Sequence, residues 1–386
     1  MTYDVGALRA GEFPWTGTGD VIYLNNASTG PLPARTVRAV NEFTAARAEP
    51  WRISQEKQFG TLDHTRALVA KLVGATSREI ALMVNTTYGI NLAARALPLR
   101  RGDTIVTNDR EFPANVYPWL ALEREGITVE KIPCVDGNPD EGRLLDALDA
   151  PGVKAVAVSW VQFATGYRSD LRAIGEACRS KGIYFVVDAI QGLGPSTLDL
   201  SSMHVDIFAC GGQKWLLAPW GAGFVYVRGD LVTRLEPHAV GWMAVKDSED
   251  FSRLVDYDLT YRDDARRFEV ITLPFQEFAG MNASLELMFE LGPSAIEAHV
   301  KTLTDRIVAW ASSRSDVRLV TPADPAKRAG IVSVAPRDPA AASARLTKAG
   351  VMHSLREGAI RLAPYCYNTM EEVERALSVL GGRSTP

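Results

Sequence analysis

Cysteine is scarce in this 386-residue chain: Cys134, Cys178, Cys210 and Cys366 stand far apart, and no C-x-x-C pair occurs. That argues against a disulfide framework or a Cys-rich zinc site and fits a reducing compartment. The five histidines show no metal-ligand spacing. No apolar stretch approaches the roughly 18 to 20 residues of a membrane span. Met1 to Arg9 has no apolar signal core, so a cytoplasmic protein is expected. Charge of one sign is also missing. Lys+Arg number 42 against 46 Asp+Glu, which leaves no polybasic surface for nucleic acid and makes a small molecule the default partner. There is no G-x-x-x-x-G-K-[ST] run, and Gly192-Leu193-Gly194 is not G-x-G-x-x-G, so a nucleoside triphosphate is a weak candidate.

What is present is a globular pattern. Hydrophobic residues make up 46%, enough at this length for a large core and two domains. Short apolar runs at Glu79–Val84, Thr104–Thr107, Val153–Ser159, Ile183–Val187, Val205–Ala209 and Gly223–Val227 alternate with amphipathic stretches. The alternation predicts an α/β fold with a mainly parallel sheet and covering helices. Helices are expected at Tyr88–Ala96, Val116–Arg124 and Asp170–Arg179, where apolar residues recur at three and four. Beyond Gln276 the pattern changes to a long helix (Pro293–Arg314), strands (Arg318–Thr321, Gly330–Ala335, Ala359–Pro364) and a last helix (Met370–Leu380). The expected division is an N-terminal arm (1–20), a large domain (21–275) and a smaller α+β C-terminal domain (276–386).

Two of these apolar runs end at chemistry. Asp188 closes the run Ile183–Val187, and Val205–Ala209 leads through Cys210-Gly211-Gly212-Gln213 to Lys214. Strand ends of that kind are where open α/β sheets bind ligands. A lysine held beside a carboxylate there can form a Schiff base with pyridoxal phosphate (PLP), while the carboxylate keeps the pyridine nitrogen protonated. A loop aspartate and a surface lysine would satisfy the same spacing. Thr86 and Thr87, in Asn85-Thr86-Thr87-Tyr88-Gly89, open a helix after the first strand and offer hydroxyls and free N–H groups to a phosphate. Taken alone, these residues are more commonly an ordinary Thr N-cap.

The chain resembles the class V aminotransferases, fold-type-I PLP enzymes that include cysteine desulfurases, isopenicillin-N-epimerase-like proteins and kynureninases. Six ordered motifs carry the resemblance: Tyr23-Leu24-Asn25-Asn26-Ala27-Ser28, Thr86-Thr87, Asp188-Ala189-Ile190-Gln191, Gly212-Gln213-Lys214-Trp215, Arg267-Phe268-Glu269-Val270-Ile271-Thr272, and Arg361 to Thr369 with its Tyr367-Asn368-Thr369. It implies a homodimer with shared active sites. Thr86, Thr87, Gln213 and the partner's Thr272 would hold the phosphate, Asp188 the ring nitrogen and Gln191 the ring hydroxyl. Arg361 would bind the substrate carboxylate, with Asn26 at the substrate as well; Gln162 suits the cofactor's O3′, the substrate or the bracing of its own loop. Lys214, as Schiff-base lysine, would act as general acid and base on an α-amino acid bound as an external aldimine.

The departures narrow the expectation. Phe112, in Glu111-Phe112-Pro113, stands where desulfurases place a stacking His and is expected to cover the ring. Gly211 replaces a desulfurase serine, and no Cys lies between Gly330 and Arg361, where the desulfurase nucleophile belongs. An aminotransferase, a C–S β-elimination lyase or an epimerase is therefore expected, with cysteine desulfurase or a non-catalytic PLP-binding regulator as alternatives. The first 22 residues leave no room for a winged helix. Arg356 could hold a second acidic group, though a surface salt bridge is the commoner role for such a residue, and Trp242 and Tyr261 are further pocket candidates.

Overall fold

The apolar runs become strands of one central sheet because helices cover both of its faces, a position that favours β-branched and aromatic side chains. The computed structural model describes residues 3–270 and 272–382. Ile271, inside one of the motifs above, lies outside the described residues. After β1 (Ile22–Tyr23) come β2 (Ile80–Met83), β3 (Thr104–Asn108), β4 (Thr128–Ile132), β5 (Val153–Ser159), β6 (Tyr184–Asp188), β7 (Ile207–Gly211) and β8 (Gly223–Val227). The last seven form a sheet in the order β2-β8-β7-β6-β5-β3-β4. Strands β4, β3, β5, β6 and β7 run parallel, and β8 is antiparallel to both β7 and β2.

Two elements differ from expectation. Strand β4 is not among the apolar runs named above, because Thr-Val-Glu-Lys-Ile buries only Val129 and Ile132 and puts charges on a sheet edge, where they block further pairing. The helix expected at Val116–Arg124 shrinks to Tyr117–Leu120. Beyond it Glu123–Glu125 forms a separate 3-10 turn, and Gly126, at φ 89°, turns the chain into β4. The helices Thr86–Ala96 and Leu171–Lys181 form at the expected places, capped by Asn85 and Asp170.

A second sheet is built from β9 (Val317–Leu319), β10 (Val332–Pro336), β12 (Ser354–Arg356) and β13 (Ala359–Leu362) in the antiparallel order β12-β13-β10-β9. Between β10 and β12, the short β11 (Val351–Met352) pairs in parallel with β1. Residues 22–24 are thus hydrogen-bonded to 350–352 rather than to the central sheet. The apolar residues of the second sheet pack with those of helices Pro293–Ser312 and Met370–Leu380. Its other face, through Arg361 and Ser333, hydrogen-bonds Phe163 and Ala164 in the loop that follows β5, while the parallel β5, β6 and β7 end at Ser159, Asp188 and Gly211 on one edge. Among the described residues no helix is long and apolar enough to cross a membrane.

Candidate active site

Asp188 is the last residue of β6 and is buried, with its Oδ1 accepting the Ile190 N–H at 3.0 Å. Burial pushes its carboxyl up to about 6; the Ile190 N–H and the charge of Lys214 oppose this, and Glu111 adds to it. Lys214 follows β7 and is half-buried. Burial pushes its amine down to about 8, against the pull of Asp188 and with the help of Arg361. The two groups sense each other's charge without a hydrogen bond between them. Each is held uncomfortably in its charged form, the state of a pair that awaits a third group.

The lysine is fixed by its backbone. Asn26 donates from Nδ2 to the Lys214 carbonyl at 3.3 Å and accepts the Tyr367 hydroxyl at 2.9 Å. The Gly30 N–H donates to the Gln213 carbonyl at 2.9 Å, and a Cβ on Gly30 would overlap the carbonyl of Lys214. Phe112 stands out at 43% exposure rather than in the core, its ring centroid 5.7 Å from Lys214 Nζ and its edge against Phe163.

Thr86 is buried at the first turn of its helix, and its hydroxyl accepts the Gly211 N–H at 2.8 Å, keeping its own proton for a ligand. Asn85 caps the Tyr88 N–H, leaving those of Thr86 and Thr87 without intrahelical partners. Gly211 leaves no gap. A Cβ there would run into the Gln213 carboxamide, which fills the space of a side chain at that position. Thr87 is exposed on the same turn.

Opposite this edge, β13 presents Arg361. It is only 2% exposed, donating from Nη1 to the Phe163 carbonyl at 2.7 Å and from Nη2 to Ser28 Oγ at 2.8 Å, while Nε has no partner. Among the described residues it has no acidic partner, and burial together with Arg356 lowers its guanidinium to about 10. A buried cation without a counter-charge is costly unless a ligand supplies one.

Other expected residues are engaged elsewhere. Gln191 donates to the Ala27 carbonyl at 3.0 Å and accepts the Trp215 indole N–H at 2.9 Å, so both ends of its amide already serve the fold. Gln162 is buried and donates to Glu111. Thr272 is exposed and accepts the Trp242 indole N–H at 3.2 Å, and Tyr261 lies under the Arg267 guanidinium at 5.1 Å. Sequence reasoning missed Glu111. This buried carboxylate has no cationic partner among the described residues, yet accepts the Ser159 N–H (3.0 Å) and hydroxyl and the amides of Gln162 (3.0 Å), Asn115 (3.1 Å) and Asn108 (3.2 Å). It ties the end of β5 and the residue Gln162 beyond it to Asn108 at the end of β3 and to Asn115, across the segment that carries Phe112. The available signal was an acidic residue three positions after the end of β3, directly before the Phe112-Pro113 pair.

These residues fit PLP. Asp188 would meet its ring nitrogen, Lys214 its aldehyde, Thr86 and the helix N-terminus its phosphate, and Phe112 would lie over the ring. The family model for aminotransferase class-V matches residues 22–376. A probable cysteine desulfurase of Methanothermobacter thermautotrophicus is 33% identical over 81% of this chain and 78% of its own length. Isopenicillin N epimerase of Streptomyces clavuligerus is 30% identical over 93% and 94%. Among solved structures, the apo cysteine desulfurase of Thermococcus onnurineus superposes with a TM-score of 0.86 at 26% identity, covering 99% of both chains. The catalytic edge assembled from β5, β6 and β7 and the match along nearly the whole chain lead to one conclusion: this protein belongs to the class-V aminotransferases and is a fold-type-I PLP-dependent enzyme.

Proposed function

We propose that the enzyme acts on an α-amino acid, with Lys214 moving the α-proton, and that its reaction is transamination, β-elimination of a sulfur substituent or epimerisation. When bound, PLP supplies an aldehyde for the substrate amine and a ring that takes up the electron pair released at Cα. Lys214, with its amine near 8, suits both taking and returning a proton close to neutrality. Asp188 keeps the ring nitrogen protonated, and Phe112 restricts water above the site. The observation that carries the reading is Arg361, a buried guanidinium without a counter-charge whose field reaches Lys214 and whose fork suits an α-carboxylate.

Relatives named cysteine desulfurase raise a second reading, which the thiols oppose. Cys178, Cys210 and Cys366 are buried, and burial together with Asp109 pushes the half-buried Cys134 up to about 12. A thiol so disfavoured as thiolate is a poor nucleophile. The four free cysteines also fit a cytoplasmic location. A homodimer is part of the same proposal. Trp242, which Thr272 hydrogen-bonds, shares a surface hollow with exposed Leu254, Tyr257 and Leu259, apolar side chains set among charged neighbours, of the kind that a partner covers.

The test is exchange of the α-proton for deuterium in amino acids and S-substituted cysteines, followed by NMR, with products identified by mass spectrometry. Exchange is expected with the holoenzyme and lost in Lys214→Ala. Arg361→Gln should weaken substrate binding by roughly 2 to 5 kcal/mol, the range for removing one partner of a buried charge pair, while PLP is retained. Undiminished exchange without Lys214 would end this reading.

A further inference from the structure

Strand pairing puts three arginines on one face of the small sheet. Arg361 lies opposite Ser333 on one side and Ser354 on the other; Arg356 is one pleat period beyond Ser354, and Arg318, opposite Ala335, is one period along from Ser333. Side chains alternate along a strand. Arg318, Arg356 and Arg361 therefore share a face, while Val317, Val332, Val334, Ile360 and Leu362 enter the core on the other. The register is held by a two-residue hairpin in which Glu357 (φ 45°) and Gly358 (φ 75°) are both left-handed.

These arginines are not neutralised: among the described residues none of the three makes an ion pair. Arg356 donates only to the neighbouring Leu355 carbonyl, at 3.1 Å. Its charge reaches both Arg361 and Lys214, so it belongs to the electrostatics of the catalytic edge rather than to a surface salt bridge. Arg318 and Arg356 line a cavity of about 580 Å³ against Phe163, whose carbonyl holds Arg361. The acids of that cavity are occupied or outlying: Glu357 faces Arg110 at 3.5 Å, Asp109 accepts the Cys134 N–H at 3.0 Å, Glu111 is spent on its buried network, and Asp136 sits on an exposed left-handed turn.

We propose that the substrate is an α-amino acid whose side chain carries a second acidic group, with Arg361 taking the α-carboxylate and Arg356, backed by Arg318, taking the distal acid. Diagonal neighbours on antiparallel strands lie about 7 to 8 Å apart, within reach of long side chains, so a side-chain acid a few bonds from Cα spans the two sites. This rests on the amino-acid reading of the site given above.

The experiment compares isosteric acid and amide pairs on the PLP-loaded enzyme: L-glutamate with L-glutamine, and S-carboxymethyl-L-cysteine with its carboxamide, with L-alanine as the neutral reference. Dissociation constants come from calorimetry and from titration of the cofactor absorbance, beside kcat/KM. The acid of a pair is expected to bind roughly tenfold or more tightly than the amide, the effect of one hydrogen bond to a charged group. In Arg356→Gln that ratio should fall toward one, and Arg318→Gln, one strand further from Arg361, should reduce it in part. If alanine and the amides bind as well as the acids, or if the ratio survives both substitutions, the second acid site is wrong and the amino-acid reading stands. If no amino acid of the panel perturbs the cofactor, both readings fall together.

Discussion

The Asn26 carboxamide grips the carbonyl of Lys214 at 3.3 Å across 188 residues of sequence, and the Tyr367 hydroxyl holds Asn26 in turn. Both ends of the amide are thereby taken up, which points to Asn26 as a positioning residue for the lysine. Asn26→Ala leaves a buried phenol without its acceptor, which costs about 1 to 3 kcal/mol. The expected result is a lower melting temperature and a lower kcat, with substrate KM little changed. A large rise in KM at unchanged stability would instead return Asn26 to the substrate.

Asp188 and Lys214 stood out as candidates because the apolar runs that lead to them become buried strands β6 and β7, whereas Arg361 was picked out by the class-V resemblance alone. Glu111 was not legible, since its donors come from Asn108, Asn115, Ser159 and Gln162, which only the neighbouring ends of β3 and β5 bring together. The role of Arg356 depends on the β12–β13 register. That register follows from a Glu-Gly turn with two positive φ angles, and glutamate is an uncommon residue for it. For Thr272 the difficulty differs: its neighbours in one chain are Trp242 and an exposed surface, and a phosphate role needs a second subunit.

The lowered Lys214 amine makes a prediction for the cofactor-free protein. A lysine whose folded value is near 8 against an ordinary 10.5 is penalised while charged. Between those two values the unfolded chain binds the extra proton, so this group's contribution raises stability as pH rises from about 8 to 10.5; below 8 the penalty is fully present. Lys214→Met should lose that slope in pH-dependent denaturation. Reductive methylation of Lys214 should show a midpoint near 8, well below that of exposed lysines. Because Asp188 pulls the amine upward, Asp188→Asn should move the midpoint lower still. A midpoint that rises in Asp188→Asn would contradict the electrostatic account.

Glu111 offers a separate handle on Asp188. Glu111→Gln keeps the shape but turns an –NH2 toward groups that donate, leaving at least one buried donor unpaired at a cost of about 1 to 3 kcal/mol. The same change removes a negative charge that holds the Asp188 carboxyl up. Asp188 should then titrate lower than about 6 in the cofactor-free protein, as measured by carbon-detected NMR. A stability loss with no movement of Asp188 would show Glu111 to be structural only.

The cysteines give the last prediction. Persulfide formation needs a mobile thiolate that can reach a sulfur on the bound substrate, and thiolates are favoured at exposed, electropositive positions. Here three thiols are buried, and the fourth, Cys134, sits beside the Asp109 carboxylate, which disfavours its charged form further. Iodoacetamide at neutral pH should therefore modify the native holoenzyme slowly and leave turnover of S-substituted cysteines intact. Mass spectrometry after incubation with L-cysteine should find no persulfide on Cys134, Cys178, Cys210 or Cys366. A persulfide that forms on one of them as fast as the enzyme turns over would establish desulfurase chemistry and identify its nucleophile.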